Sequence, residues 1–237
     1  KGEYAFLIGA GTSRASGIPT SSDLKKWWKK YRYKQENSAE GLETDEEALE
    51  SVPLSINQIP DNTEDIPDEW LERKENRRQG DDEGEYEFWF KQARSDDGAR
   101  RNFIRDMVEN KEPSFGILIL ASLMAEGYVP ITLTPNFDDL IYDALYKYVE
   151  EKPMLINHDE IAPQFRLTGD RPTIIKLHGD YLYTNIQNTD EDLKENMRDN
   201  IADTLSSYGL VVVGYGGEDK SIMDDALMRV SDDEESM

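Results

Sequence analysis

Tyr4-Ala5-Phe6-Leu7-Ile8-Gly9-Ala10-Gly11-Thr12-Ser13-Arg14-Ala15-Ser16-Gly17 opens with an apolar run that passes directly into a glycine-rich turn. A short continuous apolar run ended by glycine reads as a strand buried on both faces. The same signature recurs at Val129 to Leu133, Met154 to Ile156, Thr173 to Leu177 and Leu210 to Val213. Between them, Phe115 to Ala125, Asp138 to Val149 and Asp192 to Leu205 have helical spacing. Strands alternating with helices predict an α/β fold, a Rossmann-like parallel sheet with helices on both faces. In such sheets ligands bind beyond the carboxyl ends of the strands.

One segment breaks the alternation. Residues 35–100 hold 21 acidic and 7 basic side chains, a net −14 within a whole-chain charge of −23. This predicts an acidic helical insertion within one domain spanning 1–237, with short helices over Glu69 to Gln79 and Glu85 to Ala93 that lay Trp70, Leu71, Phe88, Trp89 and Phe90 on the core. A solvated excursion and a lid over the site are the two readings of that segment.

Composition excludes several functions. With 50 acidic against 27 basic residues, the chain repels nucleic-acid backbones and anionic membranes at long range. The absence of cysteine rules out a disulfide framework, a thiol nucleophile and cysteine-ligated zinc or iron. No other cluster of metal-ligand type is recognisable, so no metal is expected. The longest apolar stretch falls well short of the roughly 20 residues that cross a bilayer, and no secretory leader precedes the first strand. The expectation is a cytoplasmic protein. The start at Lys1 and the acidic end suggest a piece of a longer one.

The chemistry-bearing residues sit at strand ends. Gly9 to Ser13 form a turn whose backbone can approach a ligand closely and whose amides suit a phosphate. It departs from the dinucleotide fingerprint G-x-G-x-x-G because Arg14 stands at the third glycine. The second run leads into Thr134-Pro135-Asn136-Phe137-Asp138-Asp139. There Asn136 offers an amide for a ribose hydroxyl or a water, and the aspartates serve either the site or the following helix as caps. Thr173 to Leu177 delivers His178, and imidazole exchanges protons near neutral pH, as a general base requires. The other histidine, His158, lies in a polar turn and reads as a surface residue. Leu210 to Val213 runs into a second glycine turn, Gly214-Tyr215-Gly216-Gly217, followed by Glu218-Asp219 and a helical stretch from Ser221 to Met228.

Taken in order, Gly9 to Pro19, Thr134 to Asp138, Leu177-His178-Gly179 and the strand leading to Gly214 resemble the sirtuin superfamily. The resemblance implies a Rossmann-like core with NAD extended over the strand ends. Gly9, Ala10, Gly11, Thr12, Ser13, Gly17, Ile18, Pro19, Gly214, Tyr215 and Gly216 would line it, Asn136 and His178 would stand in the positions of the catalytic pair, and Asp138 would support them. Protein-deacylating sirtuins carry a four-cysteine zinc module after the Leu-His-Gly motif. Here Tyr181 to Asn200 is too short for one and has no cysteine. Thr20-Ser21-Ser22 stands where the family has Asp-Phe-Arg, Pro135 stands where it has Gln, and the last turn lacks Gly-Thr-Ser. These departures are similar to the sirtuin-like domains that hydrolyse NAD in prokaryotic antiviral defence. They imply an NAD glycohydrolase controlled by homo-oligomerisation, a further domain or a partner protein. A noncatalytic nucleotide sensor and a protein deacylase or ADP-ribosyltransferase are the alternatives.

Overall fold

The structure, a computed structural model, describes residues 2–37, 59, 63–75, 84–94, 96–157, 171–178 and 207–217. They divide into two compact units, one drawn from 1–16 and 110–237 and the other from 17–109.

The first unit is built on a five-stranded parallel sheet. Its strands are β1 (Tyr4–Ile8), β2 (Ile131–Thr134), β3 (Met154–Ile156), β4 (Thr173–Lys176) and β5 (Gly209–Val213), in the spatial order β3-β4-β2-β1-β5. Each expected strand is present to within two residues at either end. β2 and β4 are buried at every position, as strands sealed on both faces must be. On one face Ala5, Leu7, Ile131, Leu133, Ile156, Ile175 and Leu177 form a continuous apolar core, with Tyr208, Leu210 and Tyr215 packed against it. On the other face Thr132 Oγ1 donates to Met124 Sδ at 3.2 Å. Met124 belongs to the helix Phe115–Ala125, which forms over the expected residues.

The stretch expected as one helix from Asp138 to Val149 is instead a short α-helix, Leu140–Asp143, continued by a π-helical turn, Ala144–Tyr148. It begins at Leu140 because the Asp138 carboxylate accepts the Leu140 amide at 3.2 Å and so belongs to the loop before the helix. The helices expected over Asp192 to Leu205 and Ser221 to Met228, and also His158, Gly179, Glu218 and Asp219, lie outside the described residues.

The second unit is helical among its described residues: Ser21–Asn37, Asp68–Glu75, Glu85–Ala93 and Asp97–Val108. The helices expected from Glu69 and Glu85 are present, and Asn76 to Gln79 lie outside the described residues. The other two helices announce themselves through caps. Thr20 N–H and Oγ1 donate to the Asp23 carboxylate while the Asp23 amide donates to Thr20 Oγ1, a reciprocal box at a helix start. Asp96 accepts the Ala99 amide at 2.9 Å. The unit has its own aromatic core, with Trp28 stacked on Phe90 at 4.8 Å between ring centroids, Trp28 beside Phe103, and Trp70 beside Trp89. The aromatics Phe88, Trp89 and Phe90 are buried among these rings.

Candidate active site

Parallel register places four strand ends along one rim. β2 and β4 pair from Ile131 with Thr173 to Thr134 with Lys176, and the Leu177 amide donates to Thr134 O at 2.8 Å beyond that. Asn136 and His178 each lie two residues past this last register pair. On the other side of β2 lies β1, which pairs with β5 up to Ile8 with Val213, so Gly9 and Gly214 stand side by side at the next step. The order along the rim is therefore His178, Asn136, the Gly9 turn and the Gly214 turn.

The two glycine turns are locked together through their backbones. The Gly9 amide donates to Val213 O at 3.0 Å and the Gly11 amide to Gly214 O at 2.9 Å. A Cβ on Gly9 would stand 2.5 Å from Tyr215 Cα and 2.6 Å from Gly214 O, and one on Gly214, whose φ is +65°, would stand 2.7 Å from Thr12 N. The close approach these glycines permit is thus that of one turn to the other. Within the first turn the Thr12 amide and hydroxyl both return to Gly9 O. The amides of Gly11 and Thr12 are accordingly used inside the structure. Ala10 begins a four-residue helix, Ala10–Ser13, and Gly216 has open space where a side chain would stand. Gly17, Ile18 and Pro19 fall in the helical unit. There Gly17 has a φ of +87°, which favours glycine, and Ile18 and Pro19 are buried.

Ser13, Asn136 and Asp138 come together as a buried relay. Asn136 Nδ2 donates to Ser13 Oγ at 3.0 Å, and Ser13 Oγ donates to Asp138 Oδ2 at 2.7 Å. The Asn136 amide N–H in turn donates to Thr134 Oγ1, which tightens the loop at its start. A hydroxyl has a single proton. Because Ser13 gives its proton to a carboxylate, it must accept from the Asn136 NH2, and the Asn136 carbonyl oxygen is turned away from Ser13. Sequence reasoning placed Ser13 with the ligand-lining residues, and the structure makes it the link between the two candidate catalytic side chains in the loop after β2.

Burial pushes the Asp138 carboxyl above its usual range. The hydrogen bonds from Ser13 and from the Leu140 amide pull the other way, as does the charge of Lys176, while Asp139 adds to the rise. Lys176 is the residue the sequence reading passed over. It is the last residue of β4 and almost wholly buried, and its ammonium donates to Phe137 O at 3.0 Å and to Asp139 Oδ1 at 2.7 Å. A lysine inside an otherwise apolar strand, two residues before a candidate base, was the signal available. His178 itself is buried, with 9% of its surface exposed.

Residues 130–236 match the family described as the SIR2-like domain. Over these residues the chain is similar to that family. The match begins next to β2 and takes in Asn136, Asp138, Lys176, His178 and the Gly214 turn. The Gly9 turn precedes it and is joined to it by the β1 pairings and by Ser13. No curated protein matches the chain. This similarity agrees with the α/β, Rossmann-like sheet and suggests NAD-related chemistry. Among the described residues no helix is long and apolar enough to cross a membrane, and no group of three or more His, Asp and Glu side chains is arranged to hold a metal ion.

Proposed function

We propose that the protein is an NAD glycohydrolase that cleaves NAD into nicotinamide and ADP-ribose. The observation that carries the reading is the Asn136–Ser13–Asp138 relay in the loop after β2, beside the strand β4 that leads to His178 and next to two interlocked glycine turns. With strands spaced about 4.8 Å apart, the rim from His178 to the Gly214 turn spans roughly 14 Å, room for a dinucleotide lying across the strand ends.

In this reading the glycine turns hold the pyrophosphate region. The side-chain carbonyl oxygen of Asn136, turned away from Ser13, accepts a hydrogen bond from a ribose hydroxyl or from the attacking water. As the glycosidic bond breaks, nicotinamide leaves with the bonding electron pair, and positive charge builds on the ribose carbon. A site with a buried carboxylate favours that charge. The water oxygen bonds to the same carbon and its proton passes to His178. Asp138 acts through Ser13, keeping Asn136 turned for this contact. Such an enzyme drains a central cofactor, which suits antiviral defence by NAD depletion under the control of assembly, another domain or a partner.

Incubating the purified protein with NAD and quantifying nicotinamide and ADP-ribose tests the assignment. Release of both in equal amounts is expected. Saturable NAD binding without nicotinamide release would overturn it in favour of a sensor, and ADP-ribose found on protein by mass spectrometry would overturn it in favour of a transferase.

A further inference from the structure

We propose that Lys176 is a positioning residue of this site: its buried ammonium ties the Asn136–Asp139 loop to β4 and, as a positive charge beside Asp138, sets the direction in which Ser13 and Asn136 hydrogen-bond. The inference deepens the glycohydrolase reading and rests on it for its kinetic consequence.

The mechanical part follows from geometry. Asn136 and His178 follow the ends of different strands, β2 and β4, and catalysis by a pair requires that their spacing be held. Lys176 is two residues before His178, and its Nζ grips the loop at two points, the Phe137 carbonyl and the Asp139 carboxylate. Both points lie within three residues of Asn136. One side chain therefore couples the backbone that carries the base to the backbone that carries the amide. A buried ammonium is expensive unless its protons are satisfied, and a neutral strand residue such as the adjacent Ile175 would fill the same place without that cost. Retaining a cation here, with an acceptor on the loop for each contact, is what a positional role requires.

The electrostatic part concerns the polarity of the relay. While Asp138 is ionised it can only accept, so Ser13 donates to it and accepts from Asn136. Once Asp138 is protonated, its hydroxyl can donate to Ser13, and Ser13 can donate onward to Asn136. The amide would then turn so that its oxygen faces Ser13 and its NH2 faces the reaction. The groups that bear on Asp138 are the Ser13 hydroxyl from the first turn, the Leu140 amide and Asp139 from its own loop, and Lys176 from β4. Burial and Asp139 favour the protonated form, while Ser13, Leu140 and Lys176 favour the ionised one. Lys176 is the positive charge in that set.

Two variants with opposite expected effects test this. Lys176→Met removes the cation, so the acidic limb of the pH profile for nicotinamide release should move to higher pH, with kcat at neutral pH reduced by about a hundredfold, the loss typical of a misplaced catalytic group. Asp139→Asn, at a half-exposed position, removes the like charge and leaves Lys176 an amide oxygen to hold, so the acidic limb should move to lower pH. Lys176→Arg, which keeps the charge, should restore the wild-type limb even where kcat remains low. Should Lys176→Met fail to fold, Lys176→Gln, which removes the charge but keeps a donor for the Phe137 carbonyl, decides in its place.

A carboxyl-carbon NMR titration of Asp138, assigned with Asp138→Asn, reads the same shifts without substrate. If wild type releases no nicotinamide but the titration shifts as described, the glycohydrolase reading fails and the role of Lys176 stands. If the Asp138 titration is unmoved in Asp139→Asn and Lys176→Met, the inference is wrong whatever the activity.

Discussion

Two regions of this molecule bury very different side chains. At the strand ends of the sheet, Ser13, Asn136, Asp138, Lys176 and His178 are all at most 9% exposed, five polar or ionisable groups within a few residues of one rim. In the helical unit the buried side chains are mainly rings and aliphatics, Trp28, Trp89, Phe90 and Ile104 among them. Among its described residues Lys25 and Lys29 pair with Glu85, and Lys30 with Asp65, at partly exposed positions. The helical unit solves a folding problem with hydrophobic burial. The rim holds groups whose burial works against stability unless they are hydrogen-bonded, which marks it as the candidate site.

The sharpest way to break the comparison is to remove the centre of the helical unit. Trp28→Ala should destabilise that unit by about 3–5 kcal/mol, as large-to-small changes in a packed aromatic core do. Chemical denaturation followed by tryptophan fluorescence would show it, and an unchanged midpoint would mean the rings are not a core. Next in size is Gly9→Ala, which forces a methyl against Tyr215 and Gly214 backbone rather than against a yielding side chain. It should cost about 1–3 kcal/mol, the usual range for overpacking, and lower the melting temperature without any change in charge.

A smaller change, of opposite sign, is expected at Asp138. Its folded-state pKa is raised, so its favourable contribution is complete below the unfolded value of about 3.9 and is lost as pH rises through the folded value. Asp138→Asn removes that loss, so the variant's melting temperature should gain on wild type as pH rises from about 4 to 8 while its turnover falls. A gap that stays flat with pH would contradict the buried-charge account of the rim. Smallest of all is Glu85→Gln. Burial raises the Glu85 carboxyl, but its hydrogen bonds to Lys29 and Lys25 prevail and hold it below its usual range. Its stabilisation is therefore present above the unfolded value of about 4.3 and lost as pH falls through the folded one. With a third of the side chain exposed, the effect at neutral pH should stay below about 1 kcal/mol and fade in high salt.

The sheet was legible in sequence because strands buried on both faces leave uninterrupted apolar runs, and parallel pairing then fixes which ends meet. Asn136 and His178 could be singled out for the same reason, as residues placed just past such runs. The helix from Ser21 was not read, because its alternating lysines and aromatics show little apolar stripe, although Thr20-x-x-Asp23 marks its start. The role of the first glycines was read one partner off. Pattern shows that backbone comes close to something, and only coordinates show that Gly9 meets Gly214 and Tyr215. Lys176 was hidden inside an apolar run, where a single charge is easily taken for an exposed strand end.

The central claim is that Asn136 and His178, which follow the paired ends of β2 and β4, act together on NAD. The most direct test is a double-mutant cycle on the rate of nicotinamide release, with Asn136→Ala, His178→Ala and the pair combined, each checked for an unchanged melting curve. The account predicts that each single variant loses about 10²–10⁴ in kcat and that the double variant loses little more than the worse single one, as residues acting as a unit do. Wild-type rates in folded Asn136→Ala and His178→Ala proteins, or fully multiplicative losses in the double variant, would contradict it.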